Sequence, residues 1–289
     1  MQSKYLKDYE LLDMANGEKL ERWGKYILIR PDPQIVWNKK ENESLWGKAN
    51  ARYERSSSGG GSWQKLSKMS DSWSIKYKDI VFNLKPMGFK HTGLFPEQSI
   101  NWDYMMDKIQ KRKEEGKETK VLNLFAYTGG ATLACLSAGA SVCHVDSSAG
   151  MVSWAKENVK SSKLDDKNVR FIVDDVMKFV KREIRRENKY DAIIMDPPSY
   201  GRGKNGEVWN IDKDLSMLLN ECSKLLSDEP AFVLVNTYTG GLSGTVIKNV
   251  LRIALNEKDM SKIKSDEITL RQSNSMIELP AGITTKWEN

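Results

Sequence analysis

The spacing of hydrophobic residues changes close to Trp102. Before it, short runs such as "KYILIR" and "SWSIKYKDIVFNLKP" alternate apolar and polar positions, which predicts strands joined by turns. The second run predicts a hairpin with "KD" near its turn. After Trp102, "DYMMDKIQKRKEEGKE" has the spacing of an amphipathic helix. The change predicts a small β-rich domain over residues 1–100 and a second domain over residues 101–289.

Strands and helices alternate through the second predicted domain. Its strand-like runs are hydrophobic almost throughout, which is typical of parallel strands covered by helices on both faces: "KVLNLFA", "SVCHVD", "VRFIVDD", "YDAIIMD" and "AFVLVNTY". The tail "DEITLRQSNSMIELPAG" predicts a closing antiparallel pair at the sheet's edge. The predicted fold class is therefore α/β, a doubly wound sheet with a small N-terminal β-rich domain. Such sheets bind ligands beyond the carboxyl ends of their strands, where the strand order reverses.

Residues 39–65 form a polar and charged stretch that contains "SSSGGGS". Serine and glycine favour a flexible chain, so this composition predicts a mobile surface loop. The sequence leaves open whether such a loop becomes ordered on a substrate.

Composition narrows the class of protein. With 289 residues and 39% hydrophobic content, the chain can bury a sizeable core. No apolar run approaches the roughly 20 residues that cross a bilayer, and "MQSKYLKDYELLD" lacks the apolar stretch of a secretory signal. Three cysteines without paired spacing are typical of reduced thiols in the cytoplasm. With only two histidines, we expect no His/Cys metal site.

The positive charge is concentrated in the first predicted domain. The net charge is +6, and residues 1–100 carry 17 Lys/Arg against 12 Asp/Glu together with five of the nine tryptophans. Basic residues interleaved with aromatic ones suit a nucleic-acid surface, where phosphates meet the cations and bases stack on the rings. A small β domain that uses tryptophan for packing explains the same composition, so both interpretations stay open.

Acidic residues follow three successive strands of the predicted sheet. Asp146 comes about 20 residues after the glycines of the first strand's turn, where an acid can accept hydrogen bonds from ribose hydroxyls. Asp175 can accept from the amino group of adenine. Each alone would be an ordinary loop acid or helix cap. With Asp196 they describe a nucleoside pocket, and the absence of G-x-G-x-x-G disfavours a pyrophosphate.

The run "YDAIIM" ends in "DPPSYG". Two prolines cannot continue a central strand, because each lacks the N–H that the ladder needs. The strand therefore ends in a stiff turn that presents Asp196 and the carbonyl groups of Pro197 and Pro198 as acceptors.

These motifs together resemble a known family. In order, "NLFAYTGGAT", "HVDSS", "DD" and "DPPSYGRGK" resemble the class I S-adenosylmethionine-dependent methyltransferases, and most closely the bacterial 23S ribosomal RNA large-subunit methyltransferases of types I and K/L. The resemblance covers roughly residues 80–245. It implies a Rossmann-like methyltransferase sheet, S-adenosyl-L-methionine as the cofactor, 23S ribosomal RNA as the partner and a cytoplasmic location.

The resemblance also implies a role for individual residues in holding the cofactor. Phe125, Tyr127 and Gly129 are expected to border its methionine part. Asp146 is expected to bind the ribose, with Ser147 beside the adenine, and Asp175 and Val176 are expected to bind the adenine. His91, Thr92 and Gln98, from "GFKHTGLFPEQ", are expected to bind the carboxylate. For the last segment a simple turn that closes the hairpin remains an alternative.

The D-P-P motif is expected to face the transferred methyl group and the target base. Methyl transfer is an in-line displacement, so alignment of the reacting atoms supplies most of the catalysis. Asp196, Pro197 and Pro198 would orient the base, and Tyr200 is a candidate stacking platform. No general base is assigned. The loop "GRGKNGEVWNIDKDL" suits contacts to substrate phosphates and bases, or is a solvated surface loop; its candidate contact residues are Arg202, Lys204 and Trp209.

One departure from the family pattern bears on the target atom. Members that make 5-methylcytosine attack through a cysteine near the D-P-P motif or the next strand's end, yet "DPPSYG" and "VLVNTYTGG" contain none. Cys222 falls on the apolar face of a predicted helix. A nitrogen target is therefore preferred. A methyltransferase acting on a small molecule or a protein is the alternative, and the intact D-P-P turn disfavours a binding module without catalysis.

Overall fold

The computed structural model describes residues 3–56, 60–203, 206–238 and 241–289. They form two compact units. The first contains the described residues up to Ile100 together with Thr269–Pro280, and the second contains Asn101–Ile268 and Ala281–Asn289. The sequence assigned all of residues 101–289 to one domain, whereas residues 269–280 lie with the first unit.

The first unit is a β structure with one short helix. Its five-stranded sheet has the order β1-β2-β3-β4-β5, with β3 and β4 parallel and the other neighbours antiparallel, and β6 and β7 form a separate hairpin. In chain order the elements are β1 (Tyr9–Ala15), β2 (Glu18–Trp23), β3 (Tyr26–Pro31), α1 (Glu43–Trp46), β4 (Ala51–Arg55), β5 (Gly61–Lys65), β6 (Trp73–Tyr77), β7 (Ile80–Leu84) and a 3₁₀ turn (Pro96–Gln98). The hairpin predicted around "KD" is confirmed.

The segment that returns from the end of the chain lies beside β1. Gln272 forms a parallel bridge with Leu11, and the backbone N–H of Ser273 donates to the Leu11 carbonyl over 2.8 Å. These long-range backbone contacts explain why residues 269–280 belong to the first unit. A short bridge so distant in sequence has no local signature, so the sequence did not reveal it.

The prediction of a mobile loop over residues 39–65 is wrong for most of the stretch. Ala51 and Tyr53 are buried while their neighbours are more exposed, which is the alternation of a strand. A Cβ at Gly61 would lie 2.1 Å from the Glu54 carbonyl oxygen, so only glycine permits this close approach. The serine and glycine composition hid the alternation. Residues 57–59, within "SSSGGGS", lie outside the described residues.

A buried ion pair lies inside the first unit. Two N–H groups of Arg30 donate to the Glu21 carboxylate, at 2.6 and 2.7 Å, and the Tyr9 hydroxyl donates to the same carboxylate at 2.8 Å. Burial alone would raise the pKa of Glu21. Arg30, together with Lys19, outweighs burial and lowers the pKa from 4.5 to about 2.

We expect the stability of the first unit to fall as the pH drops from about 4.5 towards 2. Because the pKa of Glu21 is lower in the folded protein than in the unfolded chain, its contribution is present above the unfolded value and is lost as the folded group takes up its proton. Unfolding by urea at several pH values, followed by tryptophan fluorescence, measures this dependence. Glu21→Gln should flatten it, whereas Glu43→Gln, an exposed acid of α1, should not.

The second unit contains most of the large sheet; residues 269–271 and 278–280, from the last two strands, are assigned to the first unit. In chain order its elements are α2 (Ser99–Glu114), which begins at the unit boundary, β8 (Lys120–Leu124), α3 (Gly130–Ser137), β9 (Ser141–Asp146), α4 (Ala149–Ser161), β10 (Val169–Val173), α5 (Val176–Arg185), β11 (Ala192–Met195), β12 (Tyr200–Arg202), β13 (Val208–Asn210), α6 (Ile211–Ser223), β14 (Phe232–Thr237), α7 (Gly244–Leu255), a 3₁₀ turn (Met260–Lys262), β15 (Ile263–Arg271) and β16 (Glu278–Glu288). The sheet order is β10-β9-β8-β11-β14-β16-β15. Within this sheet β10, β9, β8, β11 and β14 are parallel to one another, and β16 is antiparallel to β14. The predicted α/β fold with a closing pair of strands at the edge is confirmed.

The central strands of the large sheet, β8, β9, β11 and β14, are largely buried because helices cover them. On one face, side chains such as Leu124, Val145 and Met195 pack into a common core with α5, α6 and α7. Cys222 of α6 belongs to this core, as its apolar position predicted. No helix in the described part of the chain is long and apolar enough to span a membrane.

The strand order reverses between β8 and β11. The chain moves outward from β8 through β9 to β10, then returns to the other side of β8 with β11. Leu124 and Met195, the last residues of these two strands, are register partners. The turns that follow them, beginning at Phe125 and Asp196, therefore start side by side, where open α/β sheets bind ligands.

Candidate active site

The turn between β8 and α3 has an unusual backbone. Phe125 and Tyr127 have φ values of 54° and 51°, in the left-handed region that large side chains rarely adopt. Two hydrogen bonds hold this turn against β9: Ala126 N–H donates to the Val145 carbonyl at 3.0 Å, and Tyr127 N–H to Asp146 Oδ2 at 2.8 Å. Strained backbone of this kind persists only where its surroundings fix it, and it is concentrated at functional sites.

Gly129 caps the N-terminus of α3 and has a φ of 89°. A Cβ there would lie 3.1 Å from both the Ala155 Cβ and the Leu133 Cδ1. The position therefore requires glycine both for its left-handed backbone and for the space that a side chain would take.

Gly129→Ala should destabilise the protein by about 1–2 kcal/mol and weaken binding of the cofactor that the resemblance implies. Gly116→Ala is the matched control, because Gly116 has a similar φ of 75° but a Cβ there would meet nothing within 4 Å. Thermal unfolding and calorimetric titration with S-adenosylhomocysteine measure the two effects. If the two variants lost equal stability and equal affinity, crowding at Gly129 would have no role.

Asp146 ends β9 and is engaged on both carboxylate oxygens. Tyr127 N–H donates to Oδ2 and Ser148 N–H donates to Oδ1, each at 2.8 Å. Burial raises the pKa of Asp146, while these two donors act in the opposite direction. A carboxylate oxygen has two lone pairs, so each can accept one further hydrogen bond, such as one from a ribose hydroxyl. Ser147 lies exposed in the turn that follows.

Asp175 follows β10 and caps α5. Its Oδ1 accepts from Lys178 N–H at 2.9 Å, so the capping role that the sequence allowed is present. One carboxylate oxygen thus serves the helix, and the other can meet an amino group. Val176 is 5% exposed and its side chain packs in the core, so this side chain is not available to a ligand.

Asp196 follows β11, beside the Phe125 turn. The side-chain amide of Asn236 donates to Asp196 Oδ1 at 3.3 Å. Pro197 is buried and Pro198 is exposed. The Pro198 carbonyl accepts from the indole N–H of Trp209 at 2.6 Å, so this acceptor already has a partner within the chain.

The segment after the D-P-P turn is a hairpin rather than an irregular loop. β12 and β13 pair antiparallel, with Tyr200 opposite Asn210 and Gly201 opposite Trp209. The Trp209 ring lies 5.0 Å from the ring of Phe125. Together with the hydrogen bond to Pro198, this contact fixes the hairpin beside the turn that follows β8. Lys204 lies outside the described residues.

The first strand of the hairpin carries an exposed aromatic ring. Tyr200 is 52% exposed, and Arg202 lies over it, with its Nε donating to the Tyr200 hydroxyl at 3.0 Å. A ring and a guanidinium in this arrangement can stack against a base and meet a phosphate.

His91, Thr92 and Gln98 lie in the first unit. The Thr92 carbonyl accepts from Lys85 N–H at 3.1 Å, so the segment folds back on the chain after β7, as a hairpin-closing turn would. The Thr92 hydroxyl is buried and has no partner among the residues that the structure describes. Burial, reinforced by Arg30 and neighbouring lysines, lowers the pKa of His91 to about 4, so His91 is neutral at pH 7.

The three cysteines are buried and lie outside the turns that follow the strands of the candidate site. Cys135, Cys143 and Cys222 are all buried, and burial raises the pKa of each thiol. They lie on α3, β9 and α6, not in the turn after β11 or at the end of β14. Within the described ranges, no three His, Cys, Asp or Glu side chains are grouped to hold a metal ion.

Comparisons with known proteins identify a matching family and several similar proteins. Residues 48–238 match a family described as S-adenosylmethionine-dependent methyltransferase. The ribosomal RNA large subunit methyltransferase K/L of Shewanella frigidimarina is 31% identical over 180 residues, covering 62% of this chain and 24% of that protein. The protein of the same name from Colwellia psychrerythraea is 29% identical over 171 residues, covering 58% and 22%. The chain thus spans about a quarter of the length of these curated relatives.

A solved structure matches the whole chain. It is the crystal structure of an S-adenosylmethionine-dependent methyltransferase from Agrobacterium tumefaciens, with 31% sequence identity and a TM-score of 0.92. The match covers 100% of this chain and 92% of that one.

Proposed function

The chain belongs to the family of S-adenosylmethionine-dependent methyltransferases, and from this premise we propose that it methylates a base nitrogen of ribosomal RNA in the cytoplasm. It is an enzyme whose methyl donor is S-adenosylmethionine. The observation that carries the proposal is the position of Asp196, on a stiff turn at the carboxyl end of β11, beside the point where the strand order reverses.

The residues at the strand ends fit the cofactor. Asp146 keeps one lone pair on each oxygen for the ribose hydroxyls, and Asp175 keeps one oxygen for the adenine amino group.

The methionine carboxylate is proposed to be met by the segment that contains His91, Thr92 and Gln98. This assignment rests on the resemblance of "GFKHTGLFPEQ" to the segment that has this role in the family.

Asp196 is proposed to orient the target. When bound, S-adenosylmethionine supplies an electrophilic methyl group on a positively charged sulfur. The Asp196 carboxylate and the Pro197 carbonyl accept hydrogen bonds from the target nitrogen, which directs its lone pair along the line of displacement. Pro198 holds the Trp209 indole instead, and so fixes the hairpin. No residue is assigned to remove the proton that the nitrogen loses.

A nitrogen target is favoured over a pyrimidine carbon by the place of the cysteines. Carbon methylation needs a thiolate that adds to the ring. The three thiols of this chain are buried in the core with raised pKa values. At the end of β14, where a nucleophile would be expected, the chain has Asn236 and Thr237.

RNA is favoured as the substrate by two features. The curated relatives are named as ribosomal RNA large subunit methyltransferases. In addition, Tyr200 and Arg202 present an exposed ring and a cation on the hairpin that follows the D-P-P turn. We propose the 23S RNA of the large subunit as the substrate.

Transfer of labelled methyl groups tests the proposal. The purified protein is incubated with labelled S-adenosylmethionine and 23S RNA from cells that lack the gene, with wild-type RNA as the control. Label should enter only the RNA that lacks the modification, and nucleoside digestion should identify a methylated nitrogen. Entry of label into neither RNA, from a protein that binds the cofactor, would favour a small molecule or a protein as the substrate. Recovery of 5-methylcytosine would contradict the nitrogen assignment.

A further inference from the structure

A chain of buried polar side chains leads from α2 to Asp196. The amide nitrogen of Asn101 donates to the Thr284 hydroxyl at 2.9 Å. That hydroxyl donates to Asn236 Oδ1 at 2.7 Å, and Asn236 Nδ2 donates to Asp196 Oδ1 at 3.3 Å. Asn101, Thr284 and Asn236 are each at most 1% exposed. Polar groups buried this deeply are placed for their hydrogen bonds, because nothing else offsets the loss of their hydration.

The register of the sheet brings these side chains together. Met195 of β11 is paired with Val235 of β14, so the next residues, Asp196 and Asn236, leave the two strands side by side. Asn236 is in turn the register partner of Thr284 on the antiparallel β16. Directly paired residues point to the same face, which explains the contact between their side chains.

The chain of hydrogen bonds has one direction. A threonine hydroxyl carries a single proton, and Thr284 gives it to Asn236 Oδ1 while accepting from Asn101. With its oxygen held there, the Asn236 amide must turn its NH₂ group towards Asp196. The reverse orientation would place an amide oxygen against the Asp196 carboxylate, which repels it. Thr284 therefore determines which atom of Asn236 meets Asp196.

We propose that Asn236 is a positioning residue that fixes the rotamer of Asp196 for methyl transfer, and that Thr284 holds Asn236 in the required orientation. The inference rests on the proposed role of Asp196 towards the target nitrogen. Asp196 is the first residue after β11. The amide of Asn236 holds one carboxylate oxygen and thereby fixes the direction in which the carboxylate points. Thr284 acts two hydrogen bonds away from the reaction and touches no ligand in this scheme.

Two threonines that are adjacent in β16 provide a matched test. Thr284 and Thr285 are both buried, but the Thr285 hydroxyl contacts Ser265 at 2.8 Å rather than Asn236. Thr284→Val should lower kcat for methyl transfer to 23S RNA by roughly tenfold, the effect of one lost hydrogen bond, with the KM for S-adenosylmethionine unchanged. Thr284→Ser keeps the hydroxyl and should restore kcat. Thr285→Val should leave kcat unchanged.

A double-mutant cycle tests whether the effect acts through Asp196. Asn236→Ala should lower kcat by at least as much as Thr284→Val, but should add nothing to the loss caused by Asp196→Ala. Circular dichroism and titration with S-adenosylhomocysteine check that each variant is folded; the threonine variants decide the question if Asn236→Ala does not fold.

The outcomes separate this inference from the function on which it rests. Equal kcat in Thr284→Val and Thr285→Val, or additive losses in the cycle, would overturn the inference while Asp196→Ala remained inactive. Full activity of Asp196→Ala, or no transfer to RNA by the wild-type protein, would overturn the proposed function and the inference with it.

Discussion

Asp196→Ala should reduce kcat for methyl transfer by about 10³-fold and leave cofactor binding nearly unchanged. The alanine removes the carboxylate that is proposed to align the target nitrogen, so the reaction loses the orientation on which an in-line displacement depends. Asp146 and Asp175, the acids proposed to hold the cofactor, follow other strands and keep their own hydrogen bonds. Single-turnover rates with labelled S-adenosylmethionine measure the loss, and calorimetry with S-adenosylhomocysteine measures binding.

Asp228→Ala is the control for this variant. Asp228 is an exposed acid in the connection before β14, at the amino end of the strand, and so at the opposite edge of the sheet from Asp196. It should transfer methyl groups at the wild-type rate. A variant at Asp196 that kept more than about a tenth of the wild-type rate would contradict the role assigned to this carboxylate. A variant that lost cofactor affinity as well would place Asp196 among the cofactor ligands instead.

The acids at the strand ends were visible in the sequence for a physical reason. A hydrophobic run that stops at a charged residue marks both the end of a buried strand and the edge at which α/β sheets bind ligands. Asp146 and Asp196 therefore required only the alternation of strands and helices to be placed at one edge. The double proline after Asp196 reinforced the assignment, because it rules out a longer strand.

Asn236 could not be found in the same way. It stands inside "AFVLVNTY", where a single polar residue near a strand end carries no local signal. Its meaning depends on β14 lying beside β11 and β16 pairing with β14, and those neighbours are far apart in sequence. The contact of Trp209 with Phe125 was hidden for the same reason, since the sequence showed only a glycine-rich segment. Such contacts depend on which strands pair over long distances in the sequence, whereas the local pattern of hydrophobic residues is enough to predict the individual helices and strands.

Asp146→Ala should weaken binding of S-adenosylhomocysteine by about 10²-fold or more. Two causes act together. The variant loses the carboxylate proposed to accept from both ribose hydroxyls, and hydrogen bonds to a charged group contribute about 1.5–3 kcal/mol each. It also leaves Tyr127 N–H and Ser148 N–H without their acceptor, so the left-handed turn before α3 loses one of the bonds that hold it.

The asparagine variant separates charge from shape at this position. In Asp146→Asn one carboxylate oxygen becomes an NH₂ group, which must face the N–H of either Tyr127 or Ser148, since each oxygen already accepts from one of them. Two donors then oppose each other, so we expect Asp146→Asn to bind almost as weakly as Asp146→Ala. Asp166→Ala, an exposed acid between α4 and β10, should bind normally. Calorimetric titration of the three variants makes the comparison: wild-type affinity in Asp146→Asn would mean that neither the charge nor the backbone acceptor matters for the ligand, and the ribose site would have to lie elsewhere along the strand ends.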